Sequence, residues 1–83
     1  MIKLDPARVL ELNDAVRRRS AQVALEYGMP EMRGSVNRVI RDEFKKEFGC
    51  AVKDVSPDER ERALNWIRNW DDAERIRNLR WRA

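Results

Sequence analysis

Residues 35–49 read Ser-Val-Asn-Arg-Val-Ile-Arg-Asp-Glu-Phe-Lys-Lys-Glu-Phe-Gly, and residues 56–70 read Ser-Pro-Asp-Glu-Arg-Glu-Arg-Ala-Leu-Asn-Trp-Ile-Arg-Asn-Trp. In the first stretch, apolar residues at 36, 39, 40, 44 and 48 share one face of a helix, which Ser35 caps and Gly49 ends. The second stretch opens on a capping box, Ser56 to Glu59, with proline at the first helical position, and predicts a helix to about Trp70. The two stretches therefore predict a pair of helices that pack on one another.

A long helix is predicted upstream of this pair, over residues 6–27. Asp5 is its N-cap, Pro6 suits the first helical position, and Gly28 follows its last turn. Its apolar stripe consists of Val9, Leu12, Val16, Val23 and Tyr27, with Leu10, Ala21 and Leu25 widening it. About 22 helical residues span roughly 33 Å, which is more than a small core covers. The helix therefore indicates a partner or a second copy of the chain.

The remaining segments complete one helical domain over residues 1–83. Residues 28–34 form a connector rich in glycine and proline, and Val52 and Val55 in the link after Gly49 are available to cover the core. The tail, residues 71–83, either forms a short fourth helix capped by Asp71 or Asp72, or continues the third helix. The fold class predicted is all-α, with a long N-terminal helix followed by a compact unit of two to three helices.

Composition excludes several classes of function. The chain has no histidine and a single cysteine, Cys50, so it offers no histidine chemistry, no internal disulfide and no zinc cluster. It has no apolar run of membrane-spanning length, and residues 1–6 lack the apolar stretch of a signal peptide. We therefore expect a cytoplasmic protein that is not an enzyme and has neither cofactor nor metal.

Charge is abundant but evenly distributed. Lysine and arginine number 18 against 15 acids, and the net charge is +3. The excess of basic groups is one in each of the segments 1–34, 35–55 and 56–83. Acids and bases are thus interleaved on every predicted helix, which weakens the field that nucleic-acid binding needs.

The helical pair at 35–70 resembles the small C-terminal domain of temperate-phage antirepressor proteins. That domain has a helix ending Phe-x-x-x-Phe-Gly, a short link, a capped turn and a helix ending Ala-x-x-x-Ile-x-x-Trp. The matching positions here are Phe44, Phe48, Gly49, Ala63, Ile67 and Trp70. Here the pair stands without the N-terminal domain of the larger members and is followed by a tail. The resemblance implies a phage or prophage antirepressor that binds a repressor and blocks its operator binding.

Six residues are predicted to contact the partner, from their type and expected exposure: Arg17, Arg18, Asp71, Asp72, Arg80 and Trp81. The partner is a phage repressor or another DNA-associated protein, held by an apolar and aromatic centre with charge pairs at the rim. Two alternatives stay open. One is a small DNA-binding regulator that places a helix in the major groove, with direct nucleic-acid contact as second choice. The other is a helical module that forms a homo-oligomer through the first helix.

Overall fold

The computed structural model describes residues 3–82, with side chains as far as Leu79. Within this range the chain forms four α-helices: α1 (Pro6–Glu26), α2 (Arg33–Phe48), α3 (Arg60–Arg68) and α4 (Ala73–Arg82). Single turns of 3₁₀ helix lie in the connections, at Pro30–Met32, Val52–Asp54 and Pro57–Glu59. The described part of the chain contains no strand, so the all-α prediction is confirmed, as is the long first helix before a compact helical unit.

Both ends of α1 form as the sequence predicts. The Asp5 carboxylate accepts a hydrogen bond from the Arg8 backbone N–H at 3.0 Å, and Pro6 occupies the first turn. At the other end Gly28 adopts a φ of 70°, in the left-handed region that glycine enters without a Cβ clash.

The start of α2 differs from the prediction. Ser35 is not the N-cap, because α2 begins two residues earlier, at Arg33, and includes Gly34 and Ser35. The physical reason is the 3₁₀ turn at Pro30–Met32, whose proline fixes a helical φ and which runs directly into α2. The connector between α1 and α2 is therefore shorter than residues 28–34.

The predicted capping box also differs from the observed turn. The Ser56 side chain makes no capping hydrogen bond; instead its carbonyl accepts from the Glu59 N–H at 3.0 Å and closes a 3₁₀ turn. The α-helical part of this segment starts only at Arg60.

The tail forms a separate fourth helix and does not continue α3. α3 ends at Arg68, and Asp72 accepts a hydrogen bond from the Arg75 N–H at 3.1 Å, which caps α4.

One core joins all four helices. α1 packs mainly on α2 and next on α3. The buried hydrophobic residues are Leu12, Val16, Val23, Ala24, Met29, Val36, Val39, Ile40, Phe44, Val52, Val55, Ala63, Leu64, Ile67, Trp70 and Ile76. The two valines of the link cover the core as predicted. Leu10, Ala21 and Leu25 were expected to widen the apolar stripe of α1, but all three side chains are exposed and lie outside the buried contact of α1 with α2 and α3.

Aromatic packing extends the core between α2 and α3. Phe44 stacks on Phe48 with ring centroids 4.3 Å apart, and Trp66 meets both rings edge-on at 5.6 and 5.9 Å. The Arg62 guanidinium lies over the outer face of Phe48, 4.2 Å from the ring centroid. Trp66 was not among the predicted core residues, although its edge contacts fix how α3 lies against α2.

None of the helices in residues 3–82 combines the length and the apolarity needed to cross a membrane.

Two glycines give opposite predictions for alanine substitution. Gly34 lies inside α2, where an added Cβ meets nothing within 4 Å, whereas Gly49 ends α2 with a φ of 73°. We expect Gly34→Ala to raise the free energy of unfolding by about 0.5 kcal/mol, since alanine reduces unfolded-chain entropy. Gly49→Ala should lower it by about 1 kcal/mol through strain in the left-handed region. Urea unfolding of both variants checks this, and shifts of the same sign would contradict it.

Candidate functional site

The three consecutive arginines of α1 point in different directions. Arg17 and Arg18 are exposed and share one acid, Asp14, at 3.3 and 3.0 Å. Arg17 lines a groove between α1 and α2, whereas Arg18 lines another beside Arg68 of α3. Arg19 has a structural contact instead, because its Nε donates to the Trp70 carbonyl at 2.8 Å.

The other predicted contact residues lie at the junction between α3 and α4 or beyond it. The Tyr27 hydroxyl donates to the Asp71 carboxylate at 2.8 Å, and this hydrogen bond raises the pKa of Tyr27. Asp72 caps α4. No hydrogen bond or ion pair connects Arg17 or Arg18 to either aspartate. The side chains of Arg80 and Trp81 lie outside the described residues.

A carboxylate cluster fastens α4 and the end of α3 onto α2. The Trp70 indole N–H donates to Glu43 at 3.0 Å, and Arg75 reaches Asp42 at 3.0 Å and Glu43 at 3.3 Å. Burial, together with a hydrogen bond to Asp72, raises the pKa of Glu43, and the same hydrogen bond lowers the pKa of Asp72. Of the two carboxyls, Glu43 is therefore the one that protonates more readily, and the cluster is a structural joint.

Ion pairs engage two acids of α2 and leave most bases of the helix unpaired. Asp42 pairs with Arg75 at 3.0 Å and with Lys46 at 3.5 Å, and Glu47 pairs with Arg62 at 3.6 Å. Asp42 also lines one cavity with Arg38, Arg41 and Lys45. Four cations of the helix form no ion pair with any described residue: Arg33, Arg38, Arg41 and Lys45. Sequence reasoning missed this excess, although the 38–41–45 spacing places three of them on one helical face.

Arg41 is the most constrained of these cations. It is half-buried, and its guanidinium donates to two neutral amides, Asn37 at 2.8 Å and Asn13 of α1 at 3.0 Å. Burial lowers the pKa of Arg41, and the nearby charge of Arg17 lowers it further. The protein thus holds a positive charge in place with hydrogen bonds but without a neutralising acid.

The groove between α1 and α2, here called the α1–α2 groove, has a volume of about 570 Å³. Its lining consists of Arg17, Ser20, Ala21, Arg33, Gly34 and Asn37. Along its α1 side runs a row of residues at helical spacing, which we call the outer stripe: Leu10, Asp14, Arg17, Ala21 and Leu25. The surface therefore combines fixed positive charge, small residues and exposed leucines.

Among the described residues, no group of three histidine, cysteine, aspartate or glutamate side chains is placed to hold a metal ion. Cys50 is half-buried against the core.

Comparison of the chain with family models, curated proteins and solved structures found no match.

The carboxylate cluster predicts a pH dependence of stability that Glu43→Gln removes. Because the pKa of Glu43 is higher in the folded state than in the unfolded state, Glu43 stabilises the fold fully at low pH. This contribution is lost as pH rises above about 4.3, the ordinary glutamate pKa. The lowered pKa of Asp72 acts in the opposite sense, since its contribution is complete above the ordinary aspartate pKa and is lost on acidification. Relative to the parent chain, Glu43→Gln should therefore gain free energy of unfolding as pH rises from about 4 to 7.

Urea unfolding at a series of pH values measures this difference. Glu43→Ala is the contrasting variant, because it leaves the Trp70 N–H without its acceptor and should cost about 1 kcal/mol or more at every pH. A difference between parent and Glu43→Gln that does not change with pH would show that Glu43 is not the protonated partner.

Proposed function

We propose that the chain is a non-enzymatic regulator of the antirepressor type, which binds a repressor protein and blocks its operator binding. The observation that carries the proposal is the exposure of Leu10 and Leu25, at 62% and 67%, on the outer stripe of α1. Their exposure is not needed for folding, because α1 already buries a complete apolar face against α2 and α3. Single exposed leucines are common, but two on one stripe with an arginine between them suit a protein interface.

The charges around the outer stripe suit such an interface as well. Arg17 and Arg18 share Asp14, so these three side chains carry a net charge of about +1 rather than a strong field. Arginine stems add apolar contact area while their guanidiniums form directed charge pairs at a rim. The helical pair at 35–70, which resembles the antirepressor domain, supplies the rigid support on which α1 is held.

DNA binding is the second candidate, and the unpaired cations of α2 favour it. Arg38, Arg41 and Lys45 share one face, as phosphate-contacting side chains of a helix do. Against it, Asp42 lines the same cavity as these cations, and a carboxylate repels phosphate.

A gel-shift experiment separates the two functions. The probe is the operator of the repressor encoded in the same phage or prophage genome, with repressor, chain or both added. The proposal expects that the chain abolishes the repressor–operator complex and does not shift the operator alone. A shift by the chain alone that weakens steeply with salt would establish DNA binding in its place.

The Leu10→Ser/Leu25→Ser double variant tests the outer stripe. Both side chains are mostly exposed, so the free energy of unfolding should change by less than about 0.5 kcal/mol. Affinity for the repressor, measured by titration calorimetry, should fall about tenfold, which corresponds to roughly 1.4 kcal/mol. Asn65→Ser, at an exposed position on α3, is the control and should bind as the parent does.

Sedimentation of the free chain tests the remaining alternative of self-pairing through α1. A dimer in the parent chain that Leu10→Ser/Leu25→Ser converts to a monomer would assign the outer stripe to a second copy and contradict its assignment to the repressor.

A further inference from the structure

We propose that the α1–α2 groove is the site where the partner docks, and that the segment it takes is acidic and amphipathic, with carboxylates for the groove and apolar side chains for the outer stripe. This inference rests on the proposed function and specifies the chemistry of its partner. The groove has cations on both walls, Arg17 on α1 and Arg33 on α2, and a floor of small residues, Ala21 and Gly34.

Charge is the first argument for an acidic occupant. Arg33 of the groove lining is exposed and forms no ion pair with any described residue. Arg41 is half-buried beside the groove and held by amides alone, one of which is Asn37 of the groove lining. A half-buried cation without an acid is destabilised by partial desolvation, and an arriving carboxylate restores the lost interaction. The guanidinium fork suits a carboxylate because two parallel N–H bonds can form. Asp42, which lines the neighbouring cavity with Arg38, Arg41 and Lys45, is already engaged by Arg75 and Lys46.

Shape is the second argument. An added Cβ at Gly34 meets no atom within 4 Å, so the α2 wall is open above this residue. Ala21 faces the same space from α1. Small residues on both walls allow another backbone to approach closely, which brings its carboxylates within reach of the arginines.

The exposed leucines of the outer stripe favour a protein over a nucleic acid as the occupant of the groove. Leu10 and Leu25 lie on the outer stripe 15 positions apart, so they are separated by about 22 Å along α1, with Arg17 and Ala21 between them. A helical segment with acids on one face and leucines beside them complements this order of residues. A phosphate backbone complements the cations but leaves both leucines without a partner, and Asp14 repels it.

The test uses the full chain and two synthetic helical peptides of about 16 residues, which match α2 in length. One carries glutamates and leucines at helical spacing on one face, and in the other every glutamate is replaced by glutamine. We expect the acidic peptide to bind one to one, with an affinity that falls as salt rises, and the glutamine peptide to bind at least about tenfold more weakly. Amide chemical-shift changes should map to residues of α1 and α2 that line the groove.

Arg17→Gln/Arg33→Gln is the test variant, because both side chains are exposed and line the groove, and Asp14 keeps its ion pair with Arg18. It should weaken peptide binding about tenfold. Arg68→Gln/Arg77→Gln removes the same charge from exposed positions on α3 and α4 and should bind within about twofold of the parent.

The outcomes separate this inference from the proposed function. Repressor binding that Arg17→Gln/Arg33→Gln leaves unchanged would overturn the groove and keep the antirepressor function. Peptide binding that maps to the groove, in a chain that binds no repressor, would support the groove and overturn the function. Duplex DNA of random sequence that binds more tightly than the acidic peptide, and loses affinity in the same variant, would overturn the inference and assign the groove to nucleic acid.

Discussion

The indole of Trp70 is the contact on which the arrangement of the four helices depends. The ring is buried just after α3, and its N–H donates a hydrogen bond to Glu43 of α2. The backbone carbonyl of Trp70 accepts a hydrogen bond from Arg19 of α1. Glu43 in turn interacts with Asp72, the cap of α4, through a side-chain hydrogen bond. One residue therefore joins all four helices, through apolar burial and two directed hydrogen bonds. In so small a domain the buried area is limited, so these bonds determine where α4 begins.

The sequence predicts the parts of this fold that depend on local chemistry. Asp5, Pro6 and Gly28 bound α1 correctly, because capping and backbone freedom involve only neighbouring residues. Ser35 fails as a cap for a related reason: a serine beside a helix caps it only if the preceding turn is not already helical. Pro30 starts a turn that continues into α2, and no pattern in the segment itself distinguishes the two cases.

The surface chemistry depends on tertiary pairing, and the sequence alone could not predict it. Interleaved acids and bases on α2 indicate a solvated helix of low net field. In the structure, Asp42 and Glu47 pair with Arg75 and Arg62, which lie 33 and 15 residues away along the chain. These ion pairs neutralise the two acids and leave Arg33, Arg38, Arg41 and Lys45 without an acidic partner among the described residues. The exposure of Leu10 and Leu25 has the same origin, since only the positions of α2 and α3 decide which side of α1 is covered.

The unpaired cations of α2 and the exposed leucines of α1, which sequence patterns missed, therefore have a common cause. Tertiary packing pairs acids of α2 with cations of α3 and α4 and covers one side of α1, and it leaves Arg17 and Arg33 facing the groove between the two helices. A cation held by Asn13 and Asn37, rather than by an acid, keeps its charge available to another molecule. Folding alone does not require such a placement, because a carboxylate at either asparagine position would neutralise Arg41 within the chain. Asparagine at both positions orients the guanidinium of Arg41 without neutralising it, as a charged docking surface requires.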